Sequence, residues 1–156
     1  MKLLFKQRFF SWFDSYDIFD EEGNTVYVVK GESIWGHRLQ IYDATGNPVG
    51  RVQERVWTFL PKFELYMGEQ LAGEIVKEFT FLRPKFRLDC NSWTVEGDFW
   101  EWDYAVMDGP RTVMRLSKEL WNWTDTYSMD IARPEDALYC LMIVLAIDAV
   151  KCSQGS

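Results

Sequence analysis

Residues 134–151 read Pro134-Glu135-Asp136-Ala137-Leu138-Tyr139-Cys140-Leu141-Met142-Ile143-Val144-Leu145-Ala146-Ile147-Asp148-Ala149-Val150-Lys151, with no polar face from Ala137 to Ile147. A helix that is apolar all round has to be enclosed on every side, by protein or by lipid. Pro134 suits a first helical turn, where its missing N–H would have no partner anyway. Glu135 and Asp136 complement the positive end of the helix dipole, and Lys151 the negative end. Residues 135–151 make a helix about 25 Å long at 1.5 Å per residue. Its uninterrupted apolar part spans only about 16 Å, short of the ~20 apolar residues that cross a bilayer.

The preceding residues have the pattern of strands and turns. Short apolar runs flank Gly- or Asn-bearing turns in 16–29, 39–52, 63–76, 86–97 and 103–116. The turns fall at Glu22-Gly23-Asn24, Thr45-Gly46-Asn47, Met67-Gly68-Glu69, Cys90-Asn91-Ser92 and Asp108-Gly109. Period-2 runs separated by such turns are the signal of β-hairpins. WTFLPKFEL (57–65) recurs as FTFLRPKFRL (79–88), and 10–16 resembles 121–127. A unit repeated at this spacing is one supersecondary element used several times. Closing the meander into a barrel removes its exposed edges, and the two similar terminal segments are candidates for the pair that meets.

These readings converge on a mainly β fold: a closed antiparallel barrel of about eleven or twelve strands around a buried C-terminal helix. Ala137, Ala146 and Ala149 let strands approach, while Leu141, Leu145 and Ile147 are expected core positions. Asp148 is the anomaly. It either sits solvated at the barrel mouth or is a buried carboxylate paired with an Arg, Lys or Trp N–H of the wall, since an unpaired buried charge is expensive. Residues 1–152 are expected to form one domain, with 153–156 a disordered tail.

Composition narrows the function classes. The 156 residues carry a net charge of −7 and include eight Trp, seven Tyr and eleven Phe. That charge disfavours broad attraction to nucleic acid or anionic membrane, though a local basic patch remains compatible with it. The N-terminus has no secretory signal pattern. Cys90, Cys140 and Cys152 are too few and too scattered for a disulfide framework or zinc site, so reduced thiols and a cytoplasmic location are expected. His37, the single histidine, is expected at a surface or strand end. No nucleophile elbow, zinc-protease, phosphate-loop or dinucleotide motif occurs, so no enzymatic activity and no cofactor is expected.

The best binding candidate is Arg83, Lys85 and Arg87, which spacing places on one strand face, with Lys62 from the parallel repeat copy nearby. Such a strip suits a phosphate or phospholipid headgroup. Neighbouring acids such as Glu64 and Glu78 offer the plainer alternative of a neutralised, solvated face. Trp12, Trp121 and Trp123 are read first as wall packing, with an interfacial patch as the alternative.

FLPKFELY (59–66), FTFLRPKFRLD (79–89), Gly97-Asp-Phe, Trp102-Asp-Tyr104, Ser117-Lys118, Trp123-Thr-Asp-Thr-Tyr127 and Glu135-Asp136 before the apolar helix together make a recognisable pattern. It resembles the LURP-one-related proteins, including their small bacterial members, within the superfamily of Tubby C-terminal domains and phospholipid scramblases. The resemblance implies a twelve-stranded barrel enclosing the C-terminal helix. It also implies a binding module, possible recognition of anionic phospholipid headgroups at the inner membrane surface, and no transmembrane segment. The alternative is a soluble scaffold or protein-interaction module without a lipid role; an enzyme ranks third. The segment 125–130, where scramblases carry an acidic stretch, lacks the alternating ligands, Gly and terminal Glu of a calcium loop.

Overall fold

The computed structural model describes residues 1–6, 15–33, 37–78, 85–89, 91–119 and 126–153. Twelve strands form one antiparallel sheet: β1 (Lys2–Lys6), β2 (Ser15–Phe19), β3 (Thr25–Ser33), β4 (His37–Asp43), β5 (Pro48–Glu54), β6 (Lys62–Met67), β7 (Gln70–Glu78), β8 (Lys85–Asp89), β9 (Trp93–Asp98), β10 (Asp103–Asp108), β11 (Arg111–Glu119) and β12 (Thr126–Ile131). A 3-10 turn, Pro134–Asp136, leads into α1, Ala137–Ser153. The sheet curls around α1 into a nearly closed barrel whose ladder runs β8-β7-β6-β5-β4-β3-β2-β1-β12-β11-β10-β9.

The chain's ends meet, because β1 pairs with β12 from Lys2↔Asp130 to Lys6↔Thr126. The Met1 ammonium donates to the Ile131 carbonyl at 2.9 Å. The similar segments 10–16 and 121–127 lie largely outside the described residues; their last tyrosines, Tyr16 and Tyr127, stand on β2 and β12, on either side of β1. The strand that meets β12 is therefore β1, an earlier stretch than the repeat suggested. The hairpins expected over 16–29, 39–52, 63–76 and 103–116 are present. The one expected over 86–97 is corrected: β8 and β9 are consecutive, yet no ladder joins them, and they form the two ends of the sheet. Side chains close that seam instead, with the Phe86 and Phe99 rings 4.7 Å apart and Trp93 edge-on to Tyr139 of α1 at 5.3 Å.

Two of the turns share a chemistry beyond their glycines. Asp20 and Asp43 open identical D-x-x-G-N turns, each carboxylate accepting from the backbone N–H two and four residues on and from the Asn side chain. Donation from the Asn47 backbone, the Thr45 hydroxyl and the Asn47 amide holds the Asp43 carboxyl at about 2. These side chains act as local templates for the turn.

The core is α1 against the inward face of the sheet. Every residue of α1 from Tyr139 to Val150 is buried except Asp148, including Leu141, Leu145 and Ile147. Each large apolar side chain enclosed in this way contributes about 1.5–3 kcal/mol. Facing them are Ile18, Val29, Leu39, Ile41, Val52, Phe63, Leu65 and Ile75, all fully buried. The repeat shows in this layer, since Phe63 of β6 and Phe86 of β8 both point inward. The helix passes closest to β5 at Gly50, where an added Cβ would lie 3.2 Å from Leu138 Cδ1 and 3.3 Å from Met142 Sδ. Cys140 is a free, buried thiol that burial, helped by Asp136, pushes up to about 12. α1 extends through Ser153, one residue past the expected domain boundary, and the remainder of the expected tail lies outside the described residues.

Asp148 falls between the two readings made for it. It keeps some solvent contact near the helix end and makes no salt bridge to the described residues of the wall. Its apolar surroundings push the carboxyl up to about 7, with the Lys151 ammonium pulling the other way. Lys151 itself bonds the Phe99 carbonyl at 2.5 Å and lies 3.9 Å over the Trp102 ring. Tyr104, whose hydroxyl is buried without a hydrogen-bond partner, is raised by burial and by the charge of Asp148.

Gly50→Val is expected to lower the unfolding free energy by about 1–3 kcal/mol through overpacking against α1. Denaturant melts check this, and a neutral result would mean that α1 does not pack on β5. For Asp148 the unfolded carboxyl ionises near 3.8 and the folded one near 7, so the native state holds the extra proton between them. Stability therefore falls as pH rises through that window. Asp148→Asn should remove the dependence, gaining about 2 kcal/mol on wild type between roughly pH 4 and pH 8, with residual solvent contact keeping the gain below the full shift. A wild-type-minus-variant difference that stays flat across that range would contradict the burial assigned to Asp148.

Candidate functional site

Strand polarity places the starts of β4, β6, β8, β10 and β12 at one end of the barrel, where α1 also terminates. Within that end, residues 55–61 connect β5 to β6. The connection is built rather than slack: the Arg55 N–H donates to the Lys62 carbonyl at 2.9 Å and the Lys77 N–H to the Pro61 carbonyl at 3.1 Å. The Thr58 hydroxyl lies 2.7 Å from the Leu60 carbonyl and 3.2 Å from that of Arg55. Trp57 holds a φ of 67°, a left-handed conformation that is strained for a bulky residue. The connection ends by projecting Trp57, 98% exposed, and Phe59, 95% exposed, away from the barrel. Trp100, 54% exposed, projects from the β9–β10 turn at the same end.

Beneath these rings lie charged groups in fixed pairs. His37 of β4 and Glu54 of β5 face each other across the ladder, with His37 Nδ1 2.6 Å from Glu54 Oε2. Arg55 Nη1 lies 3.4 Å from Glu64 and 3.8 Å from Glu74, and Lys62 Nζ lies 2.6 Å from Glu74. Glu64 also accepts from the Tyr66 hydroxyl at 2.7 Å, and this bond is the main cause that raises the tyrosine above its ordinary value. A cavity of about 540 Å3 opens along the connection, lined by Glu54, Arg55, Trp57, Phe59 and Pro61 among others.

The sequence candidates are only partly brought together. Lys62 on β6 and Arg87 on β8 both pair with Val76 of β7, so they flank it in one cross-strand row, with their backbones about 10 Å apart. Lys62 is turned onto Glu74, whereas Arg87 is 60% exposed with its Nε 3.8 Å from Glu78. Lys85 opens β8 opposite Glu78, and Arg83 lies outside the described residues. Of the acids named beside the strip, Glu78 pairs with Arg87 and Glu64 with Arg55; Glu74, which the sequence reading left out, serves Lys62. An exposed pair such as Arg87–Glu78 is worth little and leaves the guanidinium available. His37 stands at a strand end as expected, but it is engaged with Glu54.

Trp57 and Phe59 are the residues that sequence reasoning missed. Their spacing of two is also that of aromatics on a strand wall, so alternation alone does not single them out. Pro61 was the available signal against a strand, because proline removes a ladder donor and is kept out of central strands. Among the described residues no group of three or more His, Cys, Asp or Glu side chains is placed to hold a metal ion. Among the described residues no helix is long and apolar enough to cross a membrane.

The LURP-one-related family model matches residues 1–148. The chain is also 31% identical over 151 residues to the uncharacterised protein YxjI of Bacillus subtilis, covering 96% of this chain and 93% of that protein. With the model spanning nearly the whole barrel and most of its central helix, the chain belongs to the LURP-one-related family.

Proposed function

We propose that this protein is a non-enzymatic, Tubby-like binding module, cytoplasmic, that docks peripherally on a membrane surface by the barrel end carrying residues 55–61. One observation supports this above the rest: Trp57 and Phe59 stand almost fully exposed on a connection whose backbone is pinned at both ends. Side chains of this kind partition to the boundary between headgroups and acyl chains, where an apolar ring and a polar edge are both satisfied. A helix-filled interior favours contact from outside the barrel over capture inside it. Lys85 and Arg87 belong to strand β8, and the basic strip they form in sequence with Arg83 complements anionic headgroups once the rings have engaged. The balanced pairs around Lys62 and Arg55 assign most of the affinity to the rings and a smaller share to charge.

A soluble scaffold that meets a protein partner through the same rings is the second reading, and flotation with vesicles separates the two. Wild type is expected to float with phosphatidylcholine vesicles and about threefold to tenfold more with vesicles containing phosphatidylglycerol, a difference that 0.5 M salt reduces. Trp57→Ser with Phe59→Ser should abolish flotation on both. Neutralising Arg83, Lys85 and Arg87 together should remove only the increment due to anionic lipid. Absence of flotation on any vesicle would favour the scaffold.

A further inference from the structure

We propose that the cup formed by Glu54, Arg55, Trp57, Phe59 and Pro61 binds a zwitterion carrying both an ammonium and a phosphate group, of the phosphocholine or phosphoethanolamine class. The proposal rests on the membrane-docking reading and gives that surface a headgroup.

Charge placement carries the assignment. Glu54 and Arg55 are consecutive, so on extended chain their side chains leave on opposite sides, and they flank the cup instead of pairing with each other. Glu54 spends one oxygen, Oε2, on His37, taking both the ring nitrogen at 2.6 Å and the backbone N–H at 3.3 Å, while Oε1 makes no hydrogen bond among the described residues. Arg55 is tied to Glu64 and Glu74 through Nη1 alone. Among the described residues its Nε and Nη2 carry no ion pair, and the side chain is 54% exposed. The cup therefore offers a carboxylate oxygen on one side and a guanidinium edge on the other. A simple cation meets the carboxylate but is repelled by Arg55, and a simple anion faces the reverse; a zwitterion satisfies both.

The aromatic rings fit the same ligand. An ammonium bearing methyl groups is attracted to the faces of Trp and Phe, and a carboxylate beside them adds direct charge attraction. The guanidinium edge matches two phosphate oxygens at once. The cavity, about 540 Å3, lies in the range of small-molecule sites. The hydrogen bonds that hold the connection's backbone leave the segment carrying Trp57 and Phe59 little further ordering to undergo on binding.

Calorimetric or fluorescence titration of the full chain with phosphocholine, phosphoethanolamine, choline and inorganic phosphate tests the site, alongside flotation with phosphatidylcholine, phosphatidylethanolamine and phosphatidylglycerol vesicles. Saturable binding of phosphocholine or phosphoethanolamine is expected, with choline and phosphate each at least about tenfold weaker, the loss of one charged contact. Trp57→Ser, at a position too exposed to affect folding, should weaken the zwitterion by about threefold to tenfold. Glu54→Gln should shift the preference toward phosphate, and unfolding midpoints confirm that the variants are folded. Choline or phosphate binding as tightly as the zwitterion would overturn the proposal, as would no binding of any of them. Flotation without soluble binding, whatever the vesicle, would overturn it while leaving membrane docking intact. Soluble binding without flotation would keep the site, assign it to a free zwitterion, and remove the membrane reading.

Discussion

A helix with no polar face cannot meet water along any side, and the rest of the molecule follows from that constraint. From Tyr139 to Val150 only Asp148 retains solvent contact, so the sheet has to surround α1 instead of packing on one side of it. The dependence is mutual, since a twelve-stranded cylinder without its helix would hold a void lined by Ile18, Val29, Leu39, Val52 and Ile75. Neither half has a stable solution alone, which ties barrel and helix into one cooperative unit. The fit is close enough to have backbone consequences, as Gly50 shows where a Cβ would crowd Leu138 and Met142 of the helix.

Much of this was legible from residues alone, and the failures have physical causes. The apolar run at 137–147 and the Gly-Asn turns made the barrel around a helix readable, because burial on all sides and left-handed turn geometry both leave marks in sequence. β1 was missed because Lys2–Lys6 is short, carries a lysine at each end and draws most of its pairing from β12 at the far end of the chain, with a single paired position on β2. The β8–β9 seam was misread because Cys90-Asn91-Ser92 is an acceptable turn, and what decides pairing there is the packing of Phe86, Phe99 and Trp93 across the gap. Local chemistry cannot report such long-range geometry.

The candidate site divides along the same line. Strand periodicity put Lys85 and Arg87 on one strand, which is β8, and Glu78 beside Arg87 was among the acids named. It could not show that Lys62 folds onto Glu74, because that pairing depends on the β6–β7 register. Nor does an alternating Trp-Thr-Phe distinguish a wall strand from an exposed connection. Exposure at Trp57 and Phe59 is set by where β5 and β6 stop, a property of the closed sheet. Because the helix occupies the interior, chemistry is displaced to the barrel ends, where strand termini bring His37, Glu54 and Arg55 together.

Native-state hydrogen exchange of the α1 amides tests the central claim most directly. If the helix is the core of the barrel, amides from Cys140 to Ala149 exchange only through global unfolding, with the same free energy and denaturant dependence as the central strands β4 and β5. Exchange of these amides through a smaller, denaturant-insensitive opening while β4 and β5 stay protected would contradict it, because the helix would then be leaving a barrel that stands without it.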